Sequence, residues 1–193
     1  MENQKNKKLV IAITGASGSL YAKLLMDEVL KHQHLFKEIS VVMTNNAKEV
    51  WEYELKNTDY TNYPFKFWEA NNFYAPFASG SAGYTDMIIC PCSTGMMGRI
   101  ANGISNDLIS RAADVMMKER KKLVLVVREM PYNFIHLQNM TMLTQSGAII
   151  CPASPSLYHL PTNIEELLMS VVHRVLNLID IYPQKQYKWN TED

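Results

Sequence analysis

Long apolar stretches are missing from this sequence. The clearest hydrophobic runs, at residues 87–90 and 123–127, are far shorter than the roughly 20 residues that a helix needs to cross a bilayer. The first eight residues, MENQKNKK, are polar, with no apolar signal segment behind them. We therefore expect a soluble, cytoplasmic protein that does not bind a membrane.

An excess of one charge is also missing. The 19 lysines and arginines balance the 19 aspartates and glutamates, so no overall field draws the protein to nucleic acid or to an anionic lipid surface. We expect no nucleic-acid partner. Any anion that the protein binds must be held by a local pocket.

Cysteine is scarce. Cys90, Cys92 and Cys151 are the three cysteines, and their spacing is neither C-x-x-C nor that of a Cys/His zinc site. An odd number of unpaired thiols fits a reducing cytosol, where buried structural thiols are the simplest interpretation. We predict no metal centre.

Strand-like and helix-like patterns alternate along the 193 residues. Short runs rich in β-branched residues predict strands at residues 9–14, 39–43, 87–90, 123–127 and 148–151. Helical patterns follow them at residues 20–32, 47–55, 95–119, 134–145 and 164–180. This alternation predicts a single α/β domain, at residues 1–181, with a doubly wound parallel sheet covered by helices on both faces in three αβα layers.

Two segments break the alternation. Residues 57–81 are rich in Asn, Pro and aromatic residues, with one weak strand at residues 65–68, and a loop of this length is usually functional or interfacial. The tail at residues 182–193 is polar apart from anchors such as Trp189. We expect the tail to fray or to dock on a neighbouring subunit.

Small, hydroxyl-bearing or charged residues follow the predicted strands, where ligands bind in open parallel sheets. Gly15-Ala16-Ser17-Gly18 follows the first strand, and its N–H groups with the helix dipole could cradle a phosphate. The same glycines could equally serve only a tight turn. Thr44, residues 91–95, residues 128–131 and residues 152–159 follow the later strands.

Four cations could line a phosphate pocket: Arg111, Lys118, Arg128 and Arg174. Arg111 and Lys118 are seven residues apart in a helical stretch and so share a face. The alternative is that residues 118–122, KERKK, form a solvated basic run. Glu129, next to Arg128, fits either a proton donor or acceptor or a structural ion pair.

Several longer strings occur in one order: ITGASG at residues 13–18, CPCSTG at 90–95, RAADVMMKER at 111–120, LVLVVREMP at 123–131, IHLQNM at 135–140 and YHLP at 158–161. In this order they resemble the flavin prenyltransferase (UbiX-like) family over nearly the whole chain. The resemblance implies a flavodoxin-like, Rossmann-like fold and a homo-oligomer, commonly a dodecamer, with active sites at subunit contacts.

The resemblance also implies a reaction. A dimethylallyl group passes from dimethylallyl phosphate to N5 and then C6 of reduced FMN, and a UbiD-like decarboxylase uses the prenylated FMN. No magnesium is needed if the protein's cations neutralise the leaving phosphate. The chemistry requires fixed positive charge at one end of the site and an apolar wall, which Phe73 and Tyr74 could supply, at the other.

Site residues are implied by the matching motifs. FMN is expected to contact Gly15, Ala16, Ser17, Thr44, Ser93, Thr94, Gly95, Met96 and Arg128, with Arg111 near the flavin ring. Dimethylallyl phosphate is expected to contact Lys118, Arg128, Glu129, Tyr158 and Arg174. Catalytic roles are expected for Glu129 at the leaving phosphate and for Ser17 with Glu54 in removing the C6 proton. Glu52 is a rival to Glu54.

Two other functions fit the same fold. Related cysteine decarboxylases use FMN with a histidine early in the chain and a PASANT string, whereas this sequence has no histidine between residues 35 and 135 and carries PCSTG instead. A non-enzymatic flavin carrier would not need the cluster of Lys118, Arg128, Tyr158 and Arg174. The sequence leaves open whether the donor is a monophosphate or a diphosphate and which decarboxylase receives the product.

Overall fold

A six-stranded parallel sheet forms the centre of the protein in the computed structural model, which describes residues 7–184 and 186–187. The strands are β1 (Lys7–Ile13), β2 (Phe36–Met43), β3 (Lys66–Glu69), β4 (Asp86–Cys92), β5 (Lys122–Val127) and β6 (Ile149–Pro152). Their order across the sheet is β3-β2-β1-β4-β5-β6. The order reverses between β1 and β4, and such a switch point is where open α/β sheets bind ligands at their carboxyl ends.

Helices cover both faces of this sheet. They are α1 (Ser19–Lys31), α2 (Asn45–Leu55), α3 (Thr94–Ala101), α4 (Leu108–Lys118), α5 (Phe134–Gln145) and α6 (Ile164–Leu178). Leu9 and Ile11 of β1 pack towards α1, α2 and α6, whereas Val10 and Ala12 pack towards α3 and α4. Because both faces of β1 are buried, its sequence is an apolar run without polar alternation. The predicted three-layer, doubly wound α/β fold is confirmed.

Strand β4 is longer than its pattern predicts. The expected end at Cys90 precedes Pro91, which has no N–H for a sheet ladder. The strand nevertheless continues to Cys92, and its register with β5 shifts between Ile89 and Cys92. On the β1 side, the Pro91 carbonyl accepts hydrogen bonds from both the N–H and the hydroxyl of Thr14.

Part of the aromatic segment at residues 57–81 belongs to the core, with Ala75 and Phe77 as its buried residues. The weak strand is the edge strand β3, and Phe77 is fully buried in edge-to-face contact with Trp68 and Tyr84. The buried Ser40 hydroxyl lies 2.9 Å from the Tyr84 hydroxyl and accepts a hydrogen bond from Trp68 Nε1 at 3.3 Å. These contacts anchor to the core a segment that the sequence presented as a loop.

The tail is described only in part. Gln184, Gln186 and Tyr187 line a cavity of about 770 Å³ with His173 and Arg174 of α6, so this stretch lies against its own chain. Trp189 is outside the described residues. Within the described ranges, every helix is too short or too polar to span a bilayer.

Candidate active site

The turn after β1 is closely packed. A Cβ on Gly15 would lie 2.5 Å from Asn46 Cβ at the start of α2, so only glycine allows the turn to approach that helix so closely. Gly18, the N-cap of α1, has a φ of 118°, which other residues rarely adopt. Both glycines are therefore required by the backbone, whatever the turn binds.

The N-terminus of α1 is occupied by a carboxylate of the protein itself. Glu54 accepts hydrogen bonds from the N–H groups of Gly18, at 3.1 and 3.0 Å to its two oxygens, and of Ser19, at 2.7 Å. Glu54 thus satisfies the Gly18 and Ser19 N–H groups, and a phosphate cradle formed by the rest of the turn stays a prediction. A negative side chain is stabilised there by the helix dipole.

Glu54 is the carboxylate that meets Ser17. Burial by itself raises the pKa of Glu54, but hydrogen bonds from the Ser17 hydroxyl and from the N–H groups of Ser19 and Gly18 outweigh it and hold the pKa below its ordinary value. Glu52, the rival on the same helix, is exposed to solvent. The geometry therefore favours Glu54 as the site carboxylate.

Helices α2 and α3 also begin at this edge of the sheet. Thr44 Oγ1 accepts from Ala47 N at 3.1 Å, and Ser93 Oγ accepts from Met96 N at 3.3 Å, so each hydroxyl caps its helix. A Cβ on Gly95, in the first turn of α3, would meet no atom within 4 Å. This open space beside a helix N-terminus suits an anionic or aromatic ligand that approaches the backbone closely.

Arg128 and Glu129 join these segments from the end of β5. Arg128 Nε donates to the Ser17 carbonyl at 3.0 Å. Glu129 Oε2 accepts from the Thr94 hydroxyl at 3.2 Å, and its Oε1 accepts from Met130 N at 3.1 Å. One chain therefore brings together a network of two hydrogen-bonded groups, Ser17 with Glu54 and Arg128, and Thr94 with Glu129, which meet where Arg128 and Glu129 adjoin in sequence.

Arg174 and Tyr158 lie beyond β6, at the same edge. Arg174 lines a cavity of about 270 Å³ with Cys151, Ser154, Ser156 and Ser170. Tyr158 is 68% exposed in the loop between β6 and α6. A cation and several hydroxyls around a small cavity form a chemically suitable site for a phosphate.

Lys118 is far from this network within one chain. Helix α4 starts at Leu108, whose N–H donates to the Ala70 carbonyl just past β3, and ends at Lys118, just before β5 begins. Glu129 follows the other end of β5, and a six-residue strand is about 20 Å long. Lys118 instead pairs with Glu119 at 2.5 Å. The expected pocket of Arg111 and Lys118 with Arg128 is thus not formed by a single subunit.

Arg111 lies apart from both Lys118 and the network of Arg128 and Glu129, against the turn at Ala78. Its Nε donates to the Ala78 carbonyl at 3.1 Å, and its Nη1 pairs with Asp114 at 2.9 Å. These contacts hold the guanidinium against the turn that follows Phe77. Its expected position near a flavin ring stays a prediction.

The three cysteines are buried and unpaired, as expected. Burial raises the pKa of Cys92 to about 12 and also raises the pKa of Cys90 and Cys151 above the ordinary thiol value. They are therefore neutral thiols at pH 7. No cluster of potential metal ligands occurs among residues 7–184 and 186–187.

Sequence reasoning missed Thr14 as a residue of the site. Thr14 ends the first apolar run, is 2% exposed and bonds through its hydroxyl to Pro91 and Ser93. A polar residue at the end of a buried strand could have indicated this role, because a buried hydroxyl must find hydrogen-bond partners.

Comparisons with known proteins identify the family. The Flavoprotein family model matches residues 1–181. A flavin prenyltransferase UbiX from Methanocaldococcus jannaschii is 39% identical over 186 residues, which cover 95% of this chain and 99% of that protein. The chain belongs to the flavin prenyltransferase family.

Solved structures agree with this assignment. AnUbiX (PadA1), determined in complex with FMN and dimethylallyl pyrophosphate, is 36% identical with a TM-score of 0.89 and covers 98% of this chain and 100% of its own. A dodecameric FMN-dependent UbiX-like decarboxylase from Escherichia coli O157:H7 is 32% identical with a TM-score of 0.91 and covers 95% and 100%. The chain is therefore a flavoprotein of the prenyltransferase class, and the predicted family and fold are confirmed.

Proposed function

We propose that this enzyme joins the dimethylallyl group of dimethylallyl phosphate to N5 and C6 of reduced FMN and supplies the product to a UbiD-like decarboxylase. The observation that carries the proposal is that Ser17, Glu54, Thr94, Arg128 and Glu129 come together at the switch point of the sheet. Hydroxyls, a cation and two carboxylates meet there beside an open helix N-terminus.

The residues at this edge fit FMN. The open space over Gly95 leaves room for a flavin, and the capped N-termini of α2 and α3 offer their dipoles to its phosphate. Reduced FMN, when bound, supplies the nucleophilic N5 and C6 atoms. Residues 15–17 and 93–96, with Thr44 and Arg128, would hold it, and Glu54 keeps the phosphate away from α1 by occupying that N-terminus.

Glu129 and the nearby cations would manage the leaving phosphate. Because the Thr94 hydroxyl and Met130 N–H fix both carboxyl oxygens, Glu129 is held in one orientation. A carboxyl group in that position can hold a proton for the phosphate as its charge develops. Arg128, Arg174 and Tyr158 would bind the phosphate oxygens without a metal ion.

Ser17 and Glu54 would take the proton released at C6. The Ser17 hydroxyl donates to Glu54, so proton loss from a group beside Ser17 can be relayed to this carboxylate. The lowered pKa keeps Glu54 ionised at neutral pH and ready to accept. Glu52 is exposed to solvent on the same helix, so it is not placed to accept this proton.

A complete site would need a second copy of the chain. Lys118 lies at the amino ends of the strands, whereas Glu129 lies at their carboxyl ends. Lys118 can therefore join a phosphate site only in a neighbouring subunit. Exposed apolar side chains of α5, including Phe134, Ile135 and Leu137, favour such contacts. We propose a cytoplasmic homo-oligomer, with a dodecamer as the expected form and the tail at residues 182–193 at a subunit contact.

An apolar wall for the allyl group remains part of the proposal. Phe73 and Tyr74 follow β3 at the carboxyl edge of the sheet, and Tyr74 is 97% exposed. An aromatic ring this exposed in one chain is free to face an allyl cation in its own or a neighbouring site. The ring would be shielded from water only after assembly or substrate binding.

The test is an anaerobic incubation of the purified protein with reduced FMN and dimethylallyl phosphate, with the diphosphate in parallel, followed by mass spectrometry of the released flavin. A flavin heavier by one dimethylallyl unit is expected. Glu129→Gln should lower turnover by about 100-fold or more, whereas Glu49→Gln, an exposed glutamate of α2, should not. Bound but unmodified FMN with both donors would favour the flavin-carrier alternative.

A further inference from the structure

Thr14 connects the turn after β1 to the turn after β4. Its hydroxyl donates to the Pro91 carbonyl at 2.8 Å and accepts from Ser93 N at 2.8 Å. Its own N–H also donates to the Pro91 carbonyl, at 3.3 Å. The buried hydroxyl both donates and accepts, and its two partners are close in sequence, Pro91 near the end of β4 and Ser93 at the N-cap of α3.

The partners of Thr14 are placed where the flavin site needs them. Pro91 lies where the register of β4 with β5 shifts, and its carbonyl is held from the β1 side by both the N–H and the hydroxyl of Thr14. Ser93 is the N-cap of α3 and stands directly before Thr94 and Gly95. Gly15, Ala16 and Ser17 follow Thr14 in sequence. The Thr14 hydroxyl is thus the contact that ties the Ser93 N–H to the segment after β1.

We propose that Thr14 is a positioning residue for FMN, acting through the Ser93 N–H and the first turn of α3. The inference rests on the proposed function, because residues 15–17 and 93–96 are the segments proposed to hold the flavin. Thr14 itself is covered by protein and would not touch the cofactor. Removing its hydroxyl would leave the Ser93 N–H without this partner, so the first turn of α3 could shift, although the Thr14 N–H would still bond to the Pro91 carbonyl.

Ser40 provides a matched control. Its hydroxyl is also fully buried and bonds to two groups, Tyr84 and Trp68. These partners belong to the core beside β3 and not to the proposed flavin segments. Losing a buried hydrogen bond should therefore lower stability to a similar extent at both positions. Only the loss at Thr14 should also weaken FMN binding.

The experiment measures FMN dissociation constants, from quenching of flavin fluorescence, together with thermal unfolding of Thr14→Val, Thr14→Ser and Ser40→Ala. We expect Thr14→Val to weaken FMN binding about tenfold, or about 1.4 kcal/mol, while Thr14→Ser, which keeps the hydroxyl, stays within about twofold of the wild type. Ser40→Ala should lower the melting temperature and leave FMN binding unchanged. If Thr14→Val does not fold, Thr14→Cys replaces it in the test. Because a thiol forms weaker hydrogen bonds than a hydroxyl, we expect Thr14→Cys to weaken FMN binding to the same extent.

Two results would overturn the inference: folded Thr14→Val that binds FMN like the wild type, or Thr14→Ser that binds as poorly as Thr14→Val. The second result would assign the effect to packing of the methyl group. Because binding is measured without a prenyl donor, wild-type protein that binds FMN but never prenylates it contradicts the proposed function and leaves the Thr14 test intact.

Discussion

Helices α1 and α3 begin side by side at the same edge of the sheet, yet their N-termini are used differently. At α1, Glu54 fills the N-terminus with a carboxylate from within the chain, and Gly15 is packed against Asn46. At α3, the neutral Ser93 hydroxyl is the cap, and the space over Gly95 is open. A helix N-terminus attracts anions wherever it occurs, but only one with open space beside it can accept a ligand.

The largest expected effect comes from filling the open N-terminus. Gly95→Leu adds a side chain whose Cβ would meet no protein atom within 4 Å, so we expect the fold to be kept and helix propensity to add about 0.5–1 kcal/mol to the free energy of unfolding. The same side chain would occupy the flavin space, and we expect FMN binding to weaken by more than about 100-fold. Fluorescence titration and thermal unfolding measure both.

Gly98→Ala, one turn further along α3, is the control for Gly95→Leu, because its Cβ would only touch Asn139 at 3.4 Å. If Gly95→Leu still bound FMN tightly, the open space at the N-terminus of α3 would not be the flavin site, and the contrast with the filled N-terminus of α1 would fail.

The closed N-terminus should respond in the opposite way. Gly15→Ala would bring a Cβ to 2.5 Å from Asn46 Cβ, and overpacking of this kind costs about 1–3 kcal/mol of stability. The double variant Gly15→Ala with Asn46→Gly removes the clashing atom and should recover most of the loss. Urea unfolding measures all three proteins, and an unaffected Gly15→Ala would show that the turn is not tightly packed.

Emptying the closed N-terminus is expected to have a smaller effect on stability. Glu54→Ala removes the acceptor for the Gly18 and Ser19 N–H groups and should cost about 1–2 kcal/mol. Glu52→Ala, on the exposed face of the same helix, should cost almost nothing. Equal losses in the two variants, measured by urea unfolding, would mean that Glu54 does not cap α1.

The smallest effect is a pH dependence. The pKa of Glu54 is lower in the folded protein than its ordinary value, so its ionised form stabilises the fold above the unfolded pKa of about 4.3. This contribution is lost as the pH falls through the lower folded value. The stability difference between wild type and Glu54→Gln should therefore be constant from pH 7 to 5 and shrink below about pH 4. A difference that grows on acidification would contradict the assignment.

Local patterns were sufficient to predict most of the fold. Buried parallel strands produce continuous apolar runs, and covering helices produce 3.6-residue periodicity, so both are visible in short windows of sequence. The pattern failed at Pro91, where tertiary contacts extend β4 past a residue that has no N–H to donate to a neighbouring strand. It also presented Phe77 as part of a loop, because its burial depends on Trp68 and Tyr84.

The candidate site was predicted in its parts but not in its connections. The residues after each strand had to meet at one edge, because parallel strands end on the same side. The choice of Glu54 over Glu52, and the use of its carboxylate to cap α1, depend on how α2 packs against the turn after β1. The separation of Lys118 from Glu129 depends on the direction in which α4 crosses the sheet.

The sequence by itself therefore determined the layered parallel fold, the edge that carries the site and, by its motifs, the family. Each of these depends on residue order and local periodicity. The tertiary structure alone decided that Glu54 fills the N-terminus of α1, that the Thr14 hydroxyl joins β1 to β4 and that Lys118 lies far from Glu129 within one chain. Those features are contacts between residues tens of positions apart, and their distances are set by packing, which no local pattern records.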